Sequence, residues 1–519
     1  MSLVTAAPGD SVASRAPQTL RTVRITRVRA RVMLCALLGV AAAVRMIDLD
    51  RLGFNSDEAV YAGQAAALAG NPVYAGTFPV FRAHPMLVQS LLTVVYRTGE
   101  HDTAGRFVIA ALGVATVGVV YLLGAELYGR GTGLLAATFV AVMPYHVLVT
   151  RQVLLDGPMV LCATLALWCV ARFARTGRLS WMAAAGATMG LAMLAKESSL
   201  VMAGAVYAFL ALSPAVRRPL VGSAVAAAVG VAVFAVHPVT QAIAGRASTG
   251  QSYVMWQLLR PPNHDWWFYA ETVPTAVGPL VLVAALVGGL ATRRMPGHWR
   301  EVLLGCWVLT PVVVFELWPV KGYQYLLPAA PALALLAARG ISLLPGLGRL
   351  GATRARTGAA ALVLASLLVA LVPQLVGAGS AQFLAGSGGV PGGRETGLWI
   401  GANTPAGATV MTLGPSMANI ITYYGHRTAY GLSVSPNPLH RNPSYEPIRN
   451  PDRSMRHGDL QYVVWDAYSA ARSAFFDERL RTLTDRHHGR VVHTEYALGT
   501  GPDGQPAQVP VVIVYEVRP

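Results

Sequence analysis

Eleven apolar stretches, at 32–47, 105–125, 133–149, 158–174, 181–195, 199–213, 220–236, 273–291, 302–318, 326–343 and 358–377, dominate the first three-quarters of this 519-residue chain. Each is near the length of about 20 residues that a helix needs to cross a bilayer. Lipid offers no partner to a bare backbone amide, so such segments are confined to helices that close their own hydrogen bonds. The expected fold is a polytopic α-helical membrane protein. Composition agrees, with 54% hydrophobic and only 13% charged residues, against a charged share of about 25% in soluble domains.

The net charge of +16 points to membrane topology rather than to nucleic acid, because of where the cations lie. A basic segment, 1–31, precedes the first stretch with Arg15, Arg21, Arg24, Arg27, Arg29 and Arg31, and no small-residue cleavage site follows "CALLGVAAAV". With that segment in the cytoplasm, Arg130, then Arg172, Arg175 and Arg178, then Arg217 and Arg218 all fall on the cytoplasmic side. So do Arg293, Arg294 and Arg300, and then Arg349, Arg354 and Arg356, as the positive-inside rule requires. The first outer loop is 48–104; within it "HPMLVQSLLTVVY", 84–96, is too short to span and is expected to lie in the interface. The Ala-, Arg- and Gly-rich composition suggests a bacterium, hence a multi-pass protein of the plasma (inner) membrane.

Eleven crossings place the end of the chain outside. The multispanning region, 32–377, gives way to a Gly- and Ser-rich linker, 378–397. Beyond it, in 398–519, "ATVMTLG", "LQYVVWDAY", "RVVHTEYAL" and "VPVVIVYEV" have strand patterning and "SAARSAFFDERLRTLTDRH" has helical patterning. A small extracytoplasmic α/β domain is expected there. The four cysteines, all in apolar segments, offer neither a disulfide framework nor a metal site.

With so few charges, those that gather on the outer face are informative. Asp57 and Glu58 stand side by side in "GFNSDEAVYAGQAAALAGNP". Ser56 is expected to cap a helix over 57–69, where first-turn acids suit the helix dipole, and Gly70 and Pro72 to end it. A cap can also orient a catalytic carboxylate. At the next outer turn, "TRQVLLDGPM" carries Arg151 and Asp156, the latter a cap for the fourth span or a second functional acid. "LAKESS" then brings Lys196 and Glu197, and "ELWPVKGYQYLLPAAP" brings Glu316, Lys321, Tyr323 and Tyr325.

Of 41 basic residues only two are lysines, and both fall outside, where a compact ammonium rather than a planar guanidinium is favoured. Arg82 and His84 share that face. Transporters mark their pathways with ionisable groups inside the membrane, and these spans hold almost none. Chemistry at the outer interface is the better expectation. Cations at headgroup level suit the phosphate of a lipid carrier. A carboxylate facing them can take the proton of an acceptor hydroxyl, and a lipid phosphate leaves without a general acid when cations stabilise its charge. Together these describe sugar transfer from a polyprenyl phosphate. The aromatic loop "SYVMWQLLRPPNHDWWFYAET" is either a headgroup belt or brings Trp266, Trp267 or Tyr269 against a sugar; His264 and Asp265 are too few for a metal site.

The motifs in order, "SDEAVYAGQA", "RAHPMLVQSLL", "GEHDTAGRFVIAALGV", "RQVLLDGPM", "GLAMLAKESSL" and "KGYQYLLPAAP", resemble those of the polyprenyl-phosphate-dependent glycosyltransferases of the C superfamily. The likeness runs over about residues 30–340 and is greatest to the protein mannosyltransferases and the lipid A aminoarabinose transferases. The resemblance implies that Asp57 deprotonates the acceptor, with inversion at the anomeric carbon, that Glu58 supports it, and that Asp156 is a second acid near the sugars. For Glu58 it leaves a second possibility, positioning the acceptor. It also implies that Lys196, Lys321 and Tyr325 bind the donor phosphate with help from Arg151, while Arg82 and His84 line the cavity. Some relatives use a divalent metal, for which Asp57, Glu58 and Asp156 offer oxygen ligands; nothing in these residues requires one, and no metal ligand is assigned. The chain departs from the family in having "HPM" where a second proline is usual, and its outer domain does not read as a β-trefoil. The acceptor therefore stays open among envelope glycan, lipid and protein. Two rivals remain, a transporter or flippase of lipid-linked sugars, and a nonenzymatic partner of envelope assembly.

Overall fold

The computed structural model describes residues 25–80, 84–99, 101–214, 216, 218–292, 298–345, 351–376, 389–501 and 503–518. Arg82, Arg217, Arg293, Arg294, Arg349, most of the basic N-terminal segment and the 378–388 part of the expected linker lie outside the described residues. Every one of the eleven apolar stretches is helical. Among the described residues, five helices are long and apolar enough to cross a membrane, Asp102–Tyr128, Asp156–Thr176, Pro219–Ile243, Tyr323–Leu343 and Ala352–Val376. Leu87–Tyr96, Arg130–Val142, Leu179–Ala195 and Glu197–Leu212 are shorter.

Two expected spans are broken. The stretch 133–149 ends as a helix at Val142 and resumes as Pro144–Val149 after an extended Met143, because Pro144 has no amide to continue the ladder. The carbonyls released there are taken up by Arg45, which is fully buried at the end of the Arg27–Met46 helix and donates to Val140 O (3.1 Å), Ala141 O (2.8 Å) and Thr150 Oγ1 (3.1 Å). The stretch 273–291 bends by 94° between Phe268–Val277 and Pro279–Thr292, at Gly278 with φ +98°. Elsewhere the helices approach closely through small residues, as membrane packing favours. A Cβ added at Gly288 would lie 2.1 Å from Leu336 O.

The bundle has two chemically distinct ends. At one, Arg27, Arg31, Arg130, Arg172, Arg175 and Arg356 line a cavity of about 1560 Å³. At the opposite ends of several of these same helices lie Asp102, Asp156 and the segment 48–80.

Beyond the bundle, five strands form one sheet, β1 (Thr409–Thr412), β2 (Thr428–Gly431), β3 (Tyr462–Asp466), β4 (Arg490–Thr500) and β5 (Pro506–Glu516), in the order β2-β1-β3-β5-β4. β1 is parallel to β2 and β3, whereas β5 is antiparallel to β3 and β4. The expected helix over 469–487 is two, Ala467–Arg472 and Ala474–Arg486, separated by a non-helical Ser473. The linker is shorter than its composition suggested, since a helix, Gly393–Asn403, begins inside it. That helix and the following Pro415–Gly425 press the sheet domain onto the segment that follows the first helix. Tyr424 Oη donates to Asp102 (2.5 Å) and accepts from Phe54 N (2.7 Å), while Arg394 donates to Asp50 O (2.9 Å). Gly389 lies so close to Gly53 that a Cβ there would stand 1.9 Å from the Gly53 oxygen.

Candidate active site

The two adjacent acids occupy one helical turn and have opposite surroundings. The helix is Ser56–Leu68, and its cap is Asn55 rather than Ser56. Asn55 Oδ1 accepts from the amides of Asp57 (2.9 Å) and Glu58 (3.0 Å), and Glu58 Oε2 accepts in return from Asn55 N (3.1 Å), a capping box. Glu58 is fully buried. Its carboxylate also accepts from Arg106 Nε and Nη2 (both 2.7 Å) and from Val153 N (2.8 Å). Arg106 is itself buried and donates to the carbonyls of Leu49, Leu52 and Gly53. Every acceptor position of Glu58 is thus committed to holding the turn in place, and none faces a cavity.

Asp57 is the reverse case. Among the described residues no group donates to its carboxylate, and the side chain opens into a cavity of about 120 Å³ shared with Tyr61, Gln64, His84 and Tyr253. The residue is exposed at this cavity, with protein packed around it at longer range. The resulting desolvation raises its pKa above the ordinary aspartate value, with Asp156 and Glu58 adding to the effect and Lys196 and His84 opposing it. A carboxylate that lacks hydrogen-bond donors and has a raised pKa is suited to accept a proton.

Around it, Lys196, His84 and Lys321 are each paired. Buried Lys196 donates to both oxygens of Asp156 (2.9 Å each) and lies 5.3 Å from the Tyr325 ring centre. Burial opposes the Lys196 charge, but Asp156, Tyr325 and Glu197 outweigh it and hold the ammonium above its ordinary pKa. Asp156 is the first residue of its helix and makes no cap hydrogen bond; Lys196 takes its side chain instead. His84 Nδ1 meets Glu197 (2.9 Å) and its Nε2 meets Tyr253 Oη (3.3 Å). Burial works against the Glu197 charge, yet His84 and Lys196 hold its carboxyl below the ordinary range.

Lys321 repeats the Lys196 arrangement on another element. It donates to Glu316 O (2.7 Å) and Glu316 Oε1 (2.8 Å), beneath the rings of Trp266 (5.0 Å) and Tyr269 (5.4 Å). Tyr269 is buried whereas Trp266 is two-thirds exposed. The segment Tyr323–Ala329 begins two residues after Lys321 and carries Tyr325, so it joins the two lysine sites. Arg151 does not share them: it donates to the carbonyls of Val44 (2.8 Å), Ile47 (2.7 Å) and Asp48 (3.2 Å) at the end of the first helix. Asp57, Glu58 and Asp156 are not arranged to share a cation either, because Arg106 and Lys196 occupy the last two. Among the described residues no three His, Cys, Asp or Glu side chains group to hold a metal.

Several lining residues carry little or no signal of their own in the sequence. Tyr61 and Gln64 follow Asp57 on its own helix at spacings that return to one face, a clue available once Asp57 is singled out. Tyr253 comes from the aromatic loop. Asn419, Asn442, Ser444 and Tyr445 come from the sheet domain, more than 350 residues beyond Asp57, and nothing local marks them.

Comparison with known proteins agrees with the motifs. Residues 83–241 match the family model described as dolichyl-phosphate-mannose-protein mannosyltransferase. No curated protein sequence matches significantly. The crystal structure of ArnT from Cupriavidus metallidurans bound to undecaprenyl phosphate is similar over 93% of this chain and 97% of its own, with a TM-score of 0.65 at 14% identity. The archaeal oligosaccharyltransferase AglB from Archaeoglobus fulgidus, in complex with an inhibitory peptide and a dolichol-phosphate, is similar over 92% of this chain and 74% of its own, with a TM-score of 0.56 at 12% identity. The family model and the solved folds alike are those of the C superfamily of glycosyltransferases.

Proposed function

We propose that this chain is a membrane glycosyltransferase that moves a sugar from a polyprenyl phosphate to an acceptor hydroxyl on the extracytoplasmic face, with inversion. The observation that carries the proposal is the division of labour between Asp57 and Glu58. One acid is consumed by Arg106, Val153 and Asn55; its neighbour is held by the same turn with an open carboxylate in a cavity. Asp57 takes the proton of the acceptor hydroxyl as that oxygen attacks the anomeric carbon from the face opposite the phosphate. The bond between the anomeric carbon and the phosphate oxygen breaks, and the lipid phosphate leaves with the electron pair. Lys196 and Lys321, each already oriented by a carboxylate and an aromatic ring, stabilise the charge that builds on it. Glu58 acts through Asp57 as a positioning residue, and Asp156 does the same through Lys196. His84 belongs to the cavity wall; Arg82, which the resemblance also assigns there, lies outside the described residues.

The topology that serves this chemistry has eleven crossings. The arginine-lined end faces the cytoplasm of a bacterial inner membrane, and the Asp57 cavity and sheet domain lie outside. The test is transfer of radiolabel from a mixture of polyprenyl-phosphate sugars to native envelope acceptors in membranes. Asp57→Asn should lower transfer by about 10²–10⁴-fold while the protein remains folded. Equal transfer by the variant would remove Asp57 as the base. Movement of intact lipid-linked sugar without bond cleavage would favour a transporter instead.

A further inference from the structure

The cavity at Asp57 does not stop at the membrane domain. It continues into a second groove of about 200 Å³, and the two share Thr77, Phe78 and Pro79 on one side and Asn419, Ser444 and Tyr445 on the other. The second groove runs past Pro415, just beyond the carboxyl end of β1, and along the edge strand β2 to Val434. Tyr468, just beyond the carboxyl end of β3, is close enough to Asp57 to feel its charge. The sheet domain therefore turns the carboxyl ends of its three parallel strands towards the catalytic cavity. In open α/β sheets that end is where ligands bind.

The contacts tie this wall to the base itself. Asn419 Nδ2 donates to Ser56 Oγ (3.0 Å), on the residue before Asp57, and reaches Tyr445 Oη at 3.5 Å. Burial pushes the Tyr445 hydroxyl up to about 12, with the Asp57 charge adding to it, so the phenol remains a neutral donor beside the base. The groove is faced by amide, hydroxyl and aromatic groups, and a carboxylate lines each of its two parts, Asp57 in the first and Glu446 in the second. Lys196 and His84 offset the Asp57 charge and Arg260 acts on Tyr445, but no lysine or arginine is among the described residues lining either part, which disfavours a phosphate-bearing acceptor. Amides and hydroxyls interleaved with tyrosine faces suit a ring bearing many hydroxyls.

Resting on the glycosyltransferase reading above, we propose that this groove is the acceptor subsite and takes an uncharged saccharide. One ring presents its hydroxyl to Asp57, and the preceding rings lie between the 77–79 loop and β2. Asn419 and Tyr445 select that ring.

The experiment uses the full chain in nanodiscs and saturation-transfer NMR titrations. The probes are three neutral tetrasaccharides (mannan-, galactan- and glucan-derived) and, separately, a Ser/Thr-containing octapeptide. At least one tetrasaccharide should bind, and Asn419→Leu and Tyr445→Phe should each weaken it about tenfold, the loss of one hydrogen bond. Retained binding of undecaprenyl phosphate reports that each variant is folded, and Tyr445→Phe preserves shape if Asn419→Leu does not fold. The proposal is overturned if no tetrasaccharide binds, if binding ignores both variants, or if the peptide alone binds and is lost in them. Asp57→Asn separates the two levels. Saccharide binding without transfer supports both, whereas undiminished transfer refutes the assignment of the base and leaves the groove to be judged by its own titrations.

Discussion

If the adjacent acids have the roles assigned to them, removing their charges should move stability in opposite directions. Glu58→Gln keeps the size of the side chain but withdraws a full charge from a buried pair in which Arg106 donates twice at 2.7 Å. Removing one partner of a buried ion pair costs about 3–5 kcal/mol. Arg106 retains three backbone carbonyls within 2.9 Å, which favours the lower end. A loss of about 3 kcal/mol multiplies the unfolding equilibrium roughly a hundredfold. Arg106→Gln should cost a similar amount, and the double variant clearly less than the sum of the two, since neither charge is then stranded.

Asp57→Asn should go the other way. Its folded pKa is raised above the unfolded value, so the folded protein binds that proton more tightly. The corresponding stability is present at low pH and is lost as pH rises through the folded pKa. At neutral pH the wild-type protein bears a cost for this charge, a small one because the side chain is exposed and screened by solvent, and asparagine removes it. Thermal unfolding of purified protein in one detergent, with a denaturant series for the free energies, measures both signs in parallel with transfer assays. Glu58→Gln as stable as wild type, or Asp57→Asn as destabilised as Glu58→Gln, would refute the division of roles.

Three further outcomes follow from the same geometry. The acid limb of the pH profile for kcat/KM should lie above the ordinary aspartate value of about 4, because desolvation raises Asp57; a limb at or below 4 would place the essential proton elsewhere. Lys321→Arg should raise the donor KM at least tenfold, because a planar fork does not fit the contacts a compact ammonium makes with Glu316 and the rings of Trp266 and Tyr269; an unchanged KM would free Lys321 from the phosphate. Tyr424→Phe loses hydrogen bonds to Asp102 and Phe54, worth about 2 kcal/mol with a charged partner. It should increase proteolytic release of the sheet domain, and unchanged cleavage would mean that the junction does not depend on that hydroxyl.

The helical stretches could be read from the sequence because lipid demands long apolar runs, and the runs remain even where the helix does not. At Met143 and Gly278 hydropathy continues across a break. What permits the first break is Arg45, about 100 residues earlier, whose side chain serves the freed carbonyls. Sequence patterning reports the face a segment turns to its surroundings, not a partner supplied from elsewhere in the chain. The one-residue error at the Asp57 helix differs in kind. Asn55 and Ser56 are both good caps, but only Asn55 stands three residues before Glu58, the spacing of a capping box, so the sequence contained the information to choose.

The same distinction runs through the site. Asp57, Asp156, Lys196 and Lys321 stand out because an apolar chain with 13% charged residues has few charges on its outer surface, and scarcity makes each one conspicuous. Their roles depend on what faces them, and those partners are distant. Arg106, 48 residues away, is what separates the structural acid from the open one; Asn419 and Tyr445, far later still, decide what stands across from it. Glu58 and Asp57 are therefore coupled in function although they differ in chemistry. The pair with Arg106 fixes the turn that carries an uncompensated carboxylate, and a carboxylate left without hydrogen-bond donors stays ready to accept a proton only if something else holds it still.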